Sequence, residues 1–537
     1  MIKNREGLEL IKKKFQEQEK DRIQIKVAMS VCAKSSGSEK IFDYLLEEIK
    51  NRGLNIDLIP TGCMGFCYCE PTLKIVNPKF EKVEIIGDIT LEKAKLILDR
   101  IVEKKDIGDG ERPRVKEKRV SLLNCGDINP ENLESAIARG AYFSLERVVH
   151  EFSREKVIED IEKSGLRGRG GAGYPTGKKW RALYGEDGEE KYIVCNADEG
   201  DPGAFMDRSI LAGDPHLVLE GMIIGGYAVG AKKGIIYIRA EYPQAIEILL
   251  KAIEDLKKNG MLGDKIFETN FSFNIELKYG AGAFVCGEET ALIQSMEGKR
   301  GEPKAKPPYP VKVGYREKPT VVNNVETFAN VTRIFQNGVS WYRGIGTEKS
   351  PGTKVFALVG KVKKVGLVEV PLGTKLKDII YEIGGGIKGD KKFKAVQTGG
   401  PSGGCLNDDD LEISVEYDEL IKRGAMMGSG GLIVLDENDC MVEIAKFYMG
   451  FSVGESCGKC TPCRIGTKRL YEILEKILKG QGEVKDLELL EELSITVRRA
   501  ALCGLGKSAP NPVLSTLKKF RSEYLDKVGE AVVFNNN

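Results

Sequence analysis

Three cysteines at two-residue spacing, Cys457, Cys460 and Cys463 in ESCGKCTPCRIG, followed by Cys503 in LCGLGKSAPNP, carry the strongest chemical signal in this chain. A C-x2-C-x2-C run turns the backbone so that successive thiolates face one centre, and four thiolates suit tetrahedral zinc or a 4Fe-4S cluster. Three close ligands and one distant one favour the cluster, since structural zinc more often takes two separated pairs. Four unrelated core cysteines would not need a loop spaced by Gly and Pro. Lys459 and Arg464 either offset anionic ligands there or stand solvated at the surface.

A second group of segments could hold a flat ring or a phosphate. GLRGRGGAGYPTGKKW, residues 165–180, contains a G-x-G-x-x-G at Gly168, Gly170 and Gly173, but it follows a predicted helix, EKVIEDIEKS. The dinucleotide fingerprint requires a preceding strand, so the standard Rossmann reading fails. Dense glycine still lets backbone approach a ligand closely, with Lys178 or Lys179 as cationic donors; a flexible surface loop is the plainer alternative. KYIVCNADEGDPGAFMDR sets Asn196, Asp198, Glu199 and Asp201 directly after a strand, where open α/β sheets bind ligands. Turn and cap residues are the competing explanation. YGAGAFVCGEETALIQSMEG repeats the arrangement, with Gly287, Glu288 and Glu289 opening a helix, as ligand contacts or as dipole stabilisers. Cys286 reads as structural. Lys306, Tyr309, Asn323 and Asn324, in KAKPPYP and NNVET, are individually weak signals.

The elements that must position these groups follow from periodicity. Residues 23–104 read as a small α/β unit: strand IQIKVAMSV, a helix near 38–52, strands LKIV and KVEII, and the closing helix LEKAKLILDRIVEK. KDIGDGERPRVKEKR, 105–119, reads as a linker. From about 120 to 340, strands KYIVCNA, GIIYIRA and FSFNIELKYG alternate with helical segments, which predicts an open, largely parallel α/β layer fold. Residues 353–436 carry KVFALVG, GLVEVPLG and GLIVLDE around the short helix KLKDIIYEI, a small mixed-sheet domain. From 440 the pattern is helical, and the NNN tail is expected to be disordered.

Composition narrows the function further. The 537 residues carry 82 Lys+Arg against 80 Asp+Glu, a net charge of +2, so nothing points to nucleic acid. No run of about 20 apolar residues and no signal peptide are evident, which predicts a cytoplasmic chain without direct membrane insertion. His150 and His216 are the only histidines, too few for a multi-histidine zinc enzyme or for catalysis resting on a His triad. There are 62 Gly and 13 Cys, and in a reducing compartment clustered thiols more often bind metal than pair as disulfides.

With GRGGAGYPTG, NADEGDPG, CGEETAL, NNVET and ESCGKCTPC in this order, residues 120–515 resemble the NADH- and FMN-binding flavoprotein subunit of respiratory complex I and its soluble relatives in NAD(P)-linked hydrogenases and formate dehydrogenases. The resemblance implies an α/β protein with a Rossmann-like FMN domain (120–345), a ubiquitin-like β-grasp domain (346–438) and a C-terminal helical bundle (439–537) carrying a 4Fe-4S cluster. It implies an N-terminal thioredoxin-like domain (1–105) and a linker (106–119). It assigns FMN contacts to Gly168, Gly170, Lys179, Asn196, Asp198, Glu199, Gly287, Glu288, Asn323 and Asn324. For NAD(H) or NADP(H) it points to Gly171, Tyr174, Asp201, Phe284, Glu289, Lys306 and Tyr309. Asp201 stands where the complex I pattern has Glu, and Ala182 where it often has an aromatic ring, which leaves the choice of nucleotide open.

Complex I subunits of this kind generally lack the first hundred residues, whereas hydrogenase-type relatives often carry a fused 2Fe-2S domain with a C-x4-C and C-x3-C pattern. Here Cys63 and Cys67 preserve the second half, while the partner expected five residues before Cys32 falls on Val27. Either Cys69 replaces the missing ligand and a 2Fe-2S cluster is bound, or the domain is a cluster-free docking module. No C-x-x-C occurs in this domain, which disfavours a thiol redox role.

The implied reaction is hydride transfer between nicotinamide and FMN, then single-electron steps through iron-sulfur clusters. No protein acid or base is needed for the hydride step, so no catalytic residue is named; Glu199 and Glu289 would tune the ring or position the nucleotide. The implied partners are a small thioredoxin-like 2Fe-2S subunit and a larger iron-sulfur, hydrogenase or formate dehydrogenase subunit, with electron bifurcation a further option. Some soluble relatives carry an added two-cluster ferredoxin domain, and no cysteine follows Cys503 here. The competing class is a cofactor-poor scaffold whose cysteines hold zinc.

Overall fold

The computed structural model describes residues 2–78, 82–103, 105, 116–188 and 190–529. Most of the predicted linker and the whole NNN tail lie outside the described residues.

In the N-terminal unit, β1 (Ile23–Ala28) pairs in parallel with β2 (Ile56–Thr61) and antiparallel with β3 (Leu73–Asn77), which pairs antiparallel with β4 (Lys82–Ile86). Helices Ser38–Asn51 and Leu91–Val102 press Ile41, Leu45, Ile97 and Leu98 onto Ile25 and Val27. β2 carries no clear signal in the sequence because IDLIPT is half-buried over its middle four residues, neither alternating nor continuously apolar. The first helix, Arg5–Glu19, packs elsewhere: its Leu8 joins the core of the next domain.

That domain is built on a four-stranded, wholly parallel sheet in the order β7-β6-β5-β8, where β5 is Tyr192–Ala197, β6 Lys233–Arg239, β7 Asn274–Gly280 and β8 Thr320–Asn324. β5 and β6 are almost continuously buried, as strands covered on both faces must be. One cover is the helix Pro215–Val229, begun by an Asp214 cap on Leu217 N with Pro215 in its first turn. Gly221 in this helix lets the Phe328 carbonyl of the neighbouring helix Val325–Asn337 approach where any side chain would collide.

The next unit is a five-stranded mixed sheet in the order β10-β9-β13-β11-β12: β9 (Thr353–Gly360), β10 (Gly366–Pro371), β11 (Phe393–Thr398), β12 (Cys405–Leu406) and β13 (Gly431–Asp436). Only β9 and β13 pair in parallel. β11 and β12 are not evident from the sequence, the first being a short strand with two half-buried residues at its start, the second two residues long. The predicted helix KLKDIIYEI contains a π-helical turn, Asp378–Ile383.

The last unit is helical, with Met441–Gly454, Lys468–Leu478, Val484–Ala500 and Asn511–Lys519 burying Met449, Leu470, Leu474, Leu490 and Val513 together. Among the described residues no helix is long and apolar enough to cross a membrane.

Two buried polar contacts lock the parallel-sheet domain to the mixed sheet. Arg169, fully buried in the Gly-rich loop, donates to Thr353 O at 2.9 Å, Pro351 O at 2.7 Å and Tyr342 OH at 2.8 Å. Lys354 and Glu326 form an ion pair with no solvent exposure, and Glu326 also accepts Val355 N at 2.9 Å. Such pairs are costly to bury and costlier to break.

Candidate functional site

A cavity of about 320 Å³ opens at the carboxyl ends of β5 and β8. Gly170 and Gly171 form one wall, Asn196, Asp198, Glu199, Asp201 and Asp207 another, and Phe284, Gly287, Glu288 and Asn324 complete the near side. The Gly-rich loop is pinned here by Arg169 and closed by Gly168 N donating to Tyr174 O at 2.8 Å. Gly171 has φ +121°, and a Cβ there would stand 3.0 Å from Gly428. Only glycine meets both demands.

The acidic segment is held by its own side chains. Asn196 accepts Asp198 N at 3.0 Å and donates to Gly287 O at 2.9 Å. Glu199 accepts the N–H groups of Asp207 and Arg208 at 3.0 and 3.1 Å, so it caps the helix Met206–Gly213 while lining the cavity. Asp198 differs: it is nine-tenths buried, and both carboxyl oxygens lack a hydrogen-bond partner. Burial, opposed by Arg239 and reinforced by Glu455 and Glu241, pushes Asp198 up to about 7. Burial also lifts Asp201 to about 6 against the hydrogen bond from Ser429. Such carboxyls are desolvated groups that a ligand rich in hydroxyl, amide or ring nitrogen atoms would satisfy.

Beside the cavity runs a chain of charges. Lys179 Nζ reaches Val322 O at 2.8 Å and Glu289 at 2.9 Å, and Lys306 Nζ bridges Glu289 at 2.7 Å and Glu288 at 2.8 Å. Burial raises and the two lysines lower the Glu289 carboxyl; the lysines prevail and leave it at about 2. Glu288 caps its helix through Thr290 N and Ala291 N while also lining the cavity. Asn323 accepts Trp180 Nε1 at 2.9 Å and does not line the cavity; Tyr174 and Tyr309, each more than half exposed, do not line it either.

Several wall residues belong to no segment that the sequence marks for this cavity. Ser402, Met426, Gly428 and Ser429 come from the mixed-sheet domain, and Gly504, Leu505 and Ser508 from the helical unit. The Gly-rich runs TGGPSGG and MGSGG were the available signal for the first group.

Cys457, Cys460, Cys463 and Cys503 line one small pocket with Val285, Pro303, Lys459, Leu502 and Leu505. Cys463 sits in the π-helical turn Pro462–Thr467 and lies 3.1 Å from Ser456 Oγ; Cys503 precedes the short helix Gly504–Ser508. Lys459 lines the pocket and donates to Pro303 O at 2.9 Å, while Arg464 donates to Gly458 O at 2.8 Å. Burial first, opposed by the Ser456 hydrogen bond and reinforced by the neighbouring thiols, pushes Cys463 up to about 11, so a thiolate at Cys463 needs a cationic centre beside it. Val285 and Leu505 belong to both the thiol pocket and the acidic cavity, and so form a common wall.

In the N-terminal unit Cys63 Sγ accepts Gly65 N at 3.3 Å, and Cys32 and Cys67 are its electrostatic neighbours. Cys69 donates instead to Phe66 O at 3.5 Å.

Residues 161–333 match the Nuo51 FMN-binding domain, 355–406 the SLBB domain, and 443–527 the NADH-ubiquinone oxidoreductase-F iron-sulfur binding region. The chain is 58 % identical over 409 residues to the NADP-reducing hydrogenase subunit HndC of Solidesulfovibrio fructosivorans, covering 76 % of this chain and 83 % of that one. It is 43 % identical over 410 residues to an NADH-quinone oxidoreductase subunit of Rhizobium meliloti, covering 76 % and 97 %. A chain in the crystal structure of an NAD+-reducing NiFe hydrogenase in the H2-reduced state superposes with a TM-score of 0.69 at 31 % identity, covering 95 % of this chain and 84 % of that one.

Proposed function

The chain belongs to the family of NADH-quinone oxidoreductase flavoprotein subunits and the related NAD(P)-reducing hydrogenase subunits, and on that premise we propose that the glycine-walled cavity is where flavin and nicotinamide meet and that the four-thiol pocket is the electron exit beside it. The protein is an FMN- and iron-sulfur-dependent NAD(P)H oxidoreductase subunit that works with partner subunits. The observation that carries the geometry is the common wall: Val285 and Leu505 separate the two sites by the thickness of side chains.

The residues present fit FMN. Asp198 offers two unsatisfied buried oxygens, and the wall at Gly170, Gly171 and Gly287 has no Cβ to fill a space of about 320 Å³. The cysteines suit a 4Fe-4S cluster, as four thiolate donors around one pocket. Bound flavin supplies the exchange between a two-electron hydride and single electrons, and the cluster supplies the one-electron carrier.

The chain's own groups bind, orient and shield. Asn196 fixes the turn that aims Asp198 inward, and Glu199 holds the start of the helix Met206–Gly213 against the cavity. Lys179, Gly168, Glu288, Asn323 and Asn324 complete the flavin side by position or support. Gly171, Tyr174, Asp201, Phe284, Glu289, Lys306 and Tyr309 receive the nucleotide, the two lysines offsetting Glu289. No residue carries the hydride step itself.

On this reading 120–345 is the Rossmann-like flavin domain, 346–438 a β-grasp domain, 439–537 the cluster bundle and 1–105 a thioredoxin-like unit joined through 106–119. The fused N-terminal unit favours a cytoplasmic hydrogenase or formate dehydrogenase assembly, with a small thioredoxin-like 2Fe-2S subunit and a larger iron-sulfur subunit as partners. A zinc-holding scaffold is disfavoured, since the four cysteines lie within the matched iron-sulfur region.

The test is anaerobic purification with flavin, iron and zinc analysis, followed by NADH and NADPH added separately. One FMN per chain, at least about four irons, and bleaching of the visible band by a nucleotide are expected. Folded protein that holds zinc, takes up no FMN and ignores both nucleotides would overturn the assignment.

A further inference from the structure

Val285 and Leu505 wall the four-thiol pocket off from the flavin cavity on one side, and Cys457, Cys460 and Cys503 are only partly buried, so the pocket also stands close to the surface. Its rim carries positive charge drawn from separate segments of the chain. Arg300 Nη2 donates to Cys457 O at 2.6 Å, and Arg464 Nη1 donates to the next carbonyl, Gly458 O, at 2.8 Å. The two side chains converge on this turn: a Cβ on Gly458 would stand 3.9 Å from Arg300 Nη2 and 3.8 Å from Arg464 Cδ. Lys459 follows in the same loop, and Lys507 lies one turn beyond Cys503, its N–H bonded to Cys503 O at 3.1 Å.

All four cations are exposed, and most of their charge has no local use. Lys459 pairs with Glu302 at 3.2 Å, while Glu455 turns to Phe284 N at 2.8 Å. Among the described residues Arg300, Arg464 and Lys507 form no ion pair. Each guanidinium gives one hydrogen bond to the loop and keeps the rest of its planar fork for a carboxylate. Ile465, 45 % exposed, adds an apolar spot beside Arg464. The chain as a whole is nearly neutral, at +2, so this rim is a local concentration of charge.

We propose that the rim is the docking surface for the acidic face of a one-electron carrier protein, whose carboxylates engage Arg300 and Arg464 and whose redox centre is thereby set beside the four thiols. The proposal rests on the reading of this pocket as the electron exit and adds the face and the charge of what docks there. A small apolar spot within a charged rim suits a transient redox contact, which needs a short approach and quick release. Opposite charge steers such an encounter and rejects basic carriers, and salt screens the effect.

The test uses the full chain, reconstituted anaerobically with iron, sulfide and FMN, and two haem carriers of opposite charge as probes: cytochrome b5, which is acidic, and cytochrome c, which is basic. Iron and FMN are counted first in every sample. At about 20 mM salt, wild type should bind cytochrome b5 at least about tenfold more tightly than cytochrome c, and the preference should collapse near about 200 mM. Arg300→Gln combined with Arg464→Gln should raise the cytochrome b5 Kd by about five- to tenfold while iron and FMN are retained, because glutamine still donates to the loop carbonyls. Lys507→Glu, whose side chain holds no part of the loop, should raise it as well. Carbodiimide, which joins carboxylates to lysines in contact, should link cytochrome b5 to Lys459 or Lys507. Iron in place with cytochrome b5 binding unmoved by these substitutions, or cross-links confined to lysines elsewhere, would overturn the docking surface and leave the exit reading standing. A wild-type chain with no iron at the four thiols would overturn both.

Discussion

Lys26 Nζ, 1 % exposed, lies 2.6 Å from Asp127 Oδ1 across the junction between the N-terminal unit and the parallel-sheet domain. Lys74 reaches the same oxygen at 2.9 Å, and Arg139 reaches Asp127 Oδ2 at 3.0 Å. One carboxylate thus gathers three cations from two parts of the chain. Burial raises and Lys26 and Lys74 lower the Asp127 pKa, and the cations prevail.

Asp127→Ala should therefore loosen the N-terminal unit without emptying the flavin cavity. Removing one partner of a buried pair costs about 3–5 kcal/mol. Limited proteolysis should release the N-terminal unit faster than in wild type while FMN stays bound. Because the folded pKa is depressed, the stabilisation is present above the unfolded value near 3.9 and fades as pH falls below it. Wild type should thus approach the mutant's susceptibility only in strong acid, well below the unfolded value.

Asp198 predicts the opposite pH dependence. Its pKa is raised to about 7, so between the unfolded value near 3.9 and 7 the folded state binds the extra proton. Stability of flavin-free protein should fall as pH rises through that window and then level off, by at most about 4 kcal/mol from this group. Thermal melts of wild type and Asp198→Asn at pH 5 and pH 8 isolate the contribution. The variant should lose less on going to pH 8; equal losses would show that Asp198 is satisfied by groups other than a ligand.

Gly171→Ala, though Gly171 is given to the nucleotide, should also weaken FMN binding, because Gly171 walls the cavity that both would share. A side chain at φ +121° and 3.0 Å from Gly428 costs about 1–3 kcal/mol if the loop stays in place. Fluorescence titration of flavin-stripped protein should show a Kd raised by roughly five- to a hundredfold. Iron content should not change, since the thiol pocket does not include this loop.

Cys463→Ser should separate the two halves of the reaction. The variant should lose about four irons per chain, while NADH or NADPH still bleaches the flavin band. Reduction of a one-electron acceptor that draws on the cluster should fall at least tenfold. Simultaneous loss of flavin bleaching would mean that the helical unit, which supplies Gly504, Leu505 and Ser508, holds the cavity's shape as well.

Much of this site was legible before any fold was known, for local reasons. The spacing of Cys457, Cys460 and Cys463, the density of glycine from 168 to 173, and the carboxylates at the end of β5 are properties of short stretches of backbone. Their chemistry follows from which atoms can turn toward one point. The parallel strands β5 and β6 were equally readable, because strands buried on both faces must be apolar throughout. β2 and β12 were not: a half-buried edge strand and a two-residue strand leave no periodicity.

What tertiary structure alone decided is where these local devices meet. Nothing in the sequence around Val285 or Leu505 marks them as a common wall, because that relation exists only when the helical unit closes on the parallel sheet. The same holds for Ser429 on Asp201 and for Gly428 against Gly171. Residue types and short spacings determine which chemistry a segment can do; burial and contacts between segments distant in sequence determine which atoms are left free to do it.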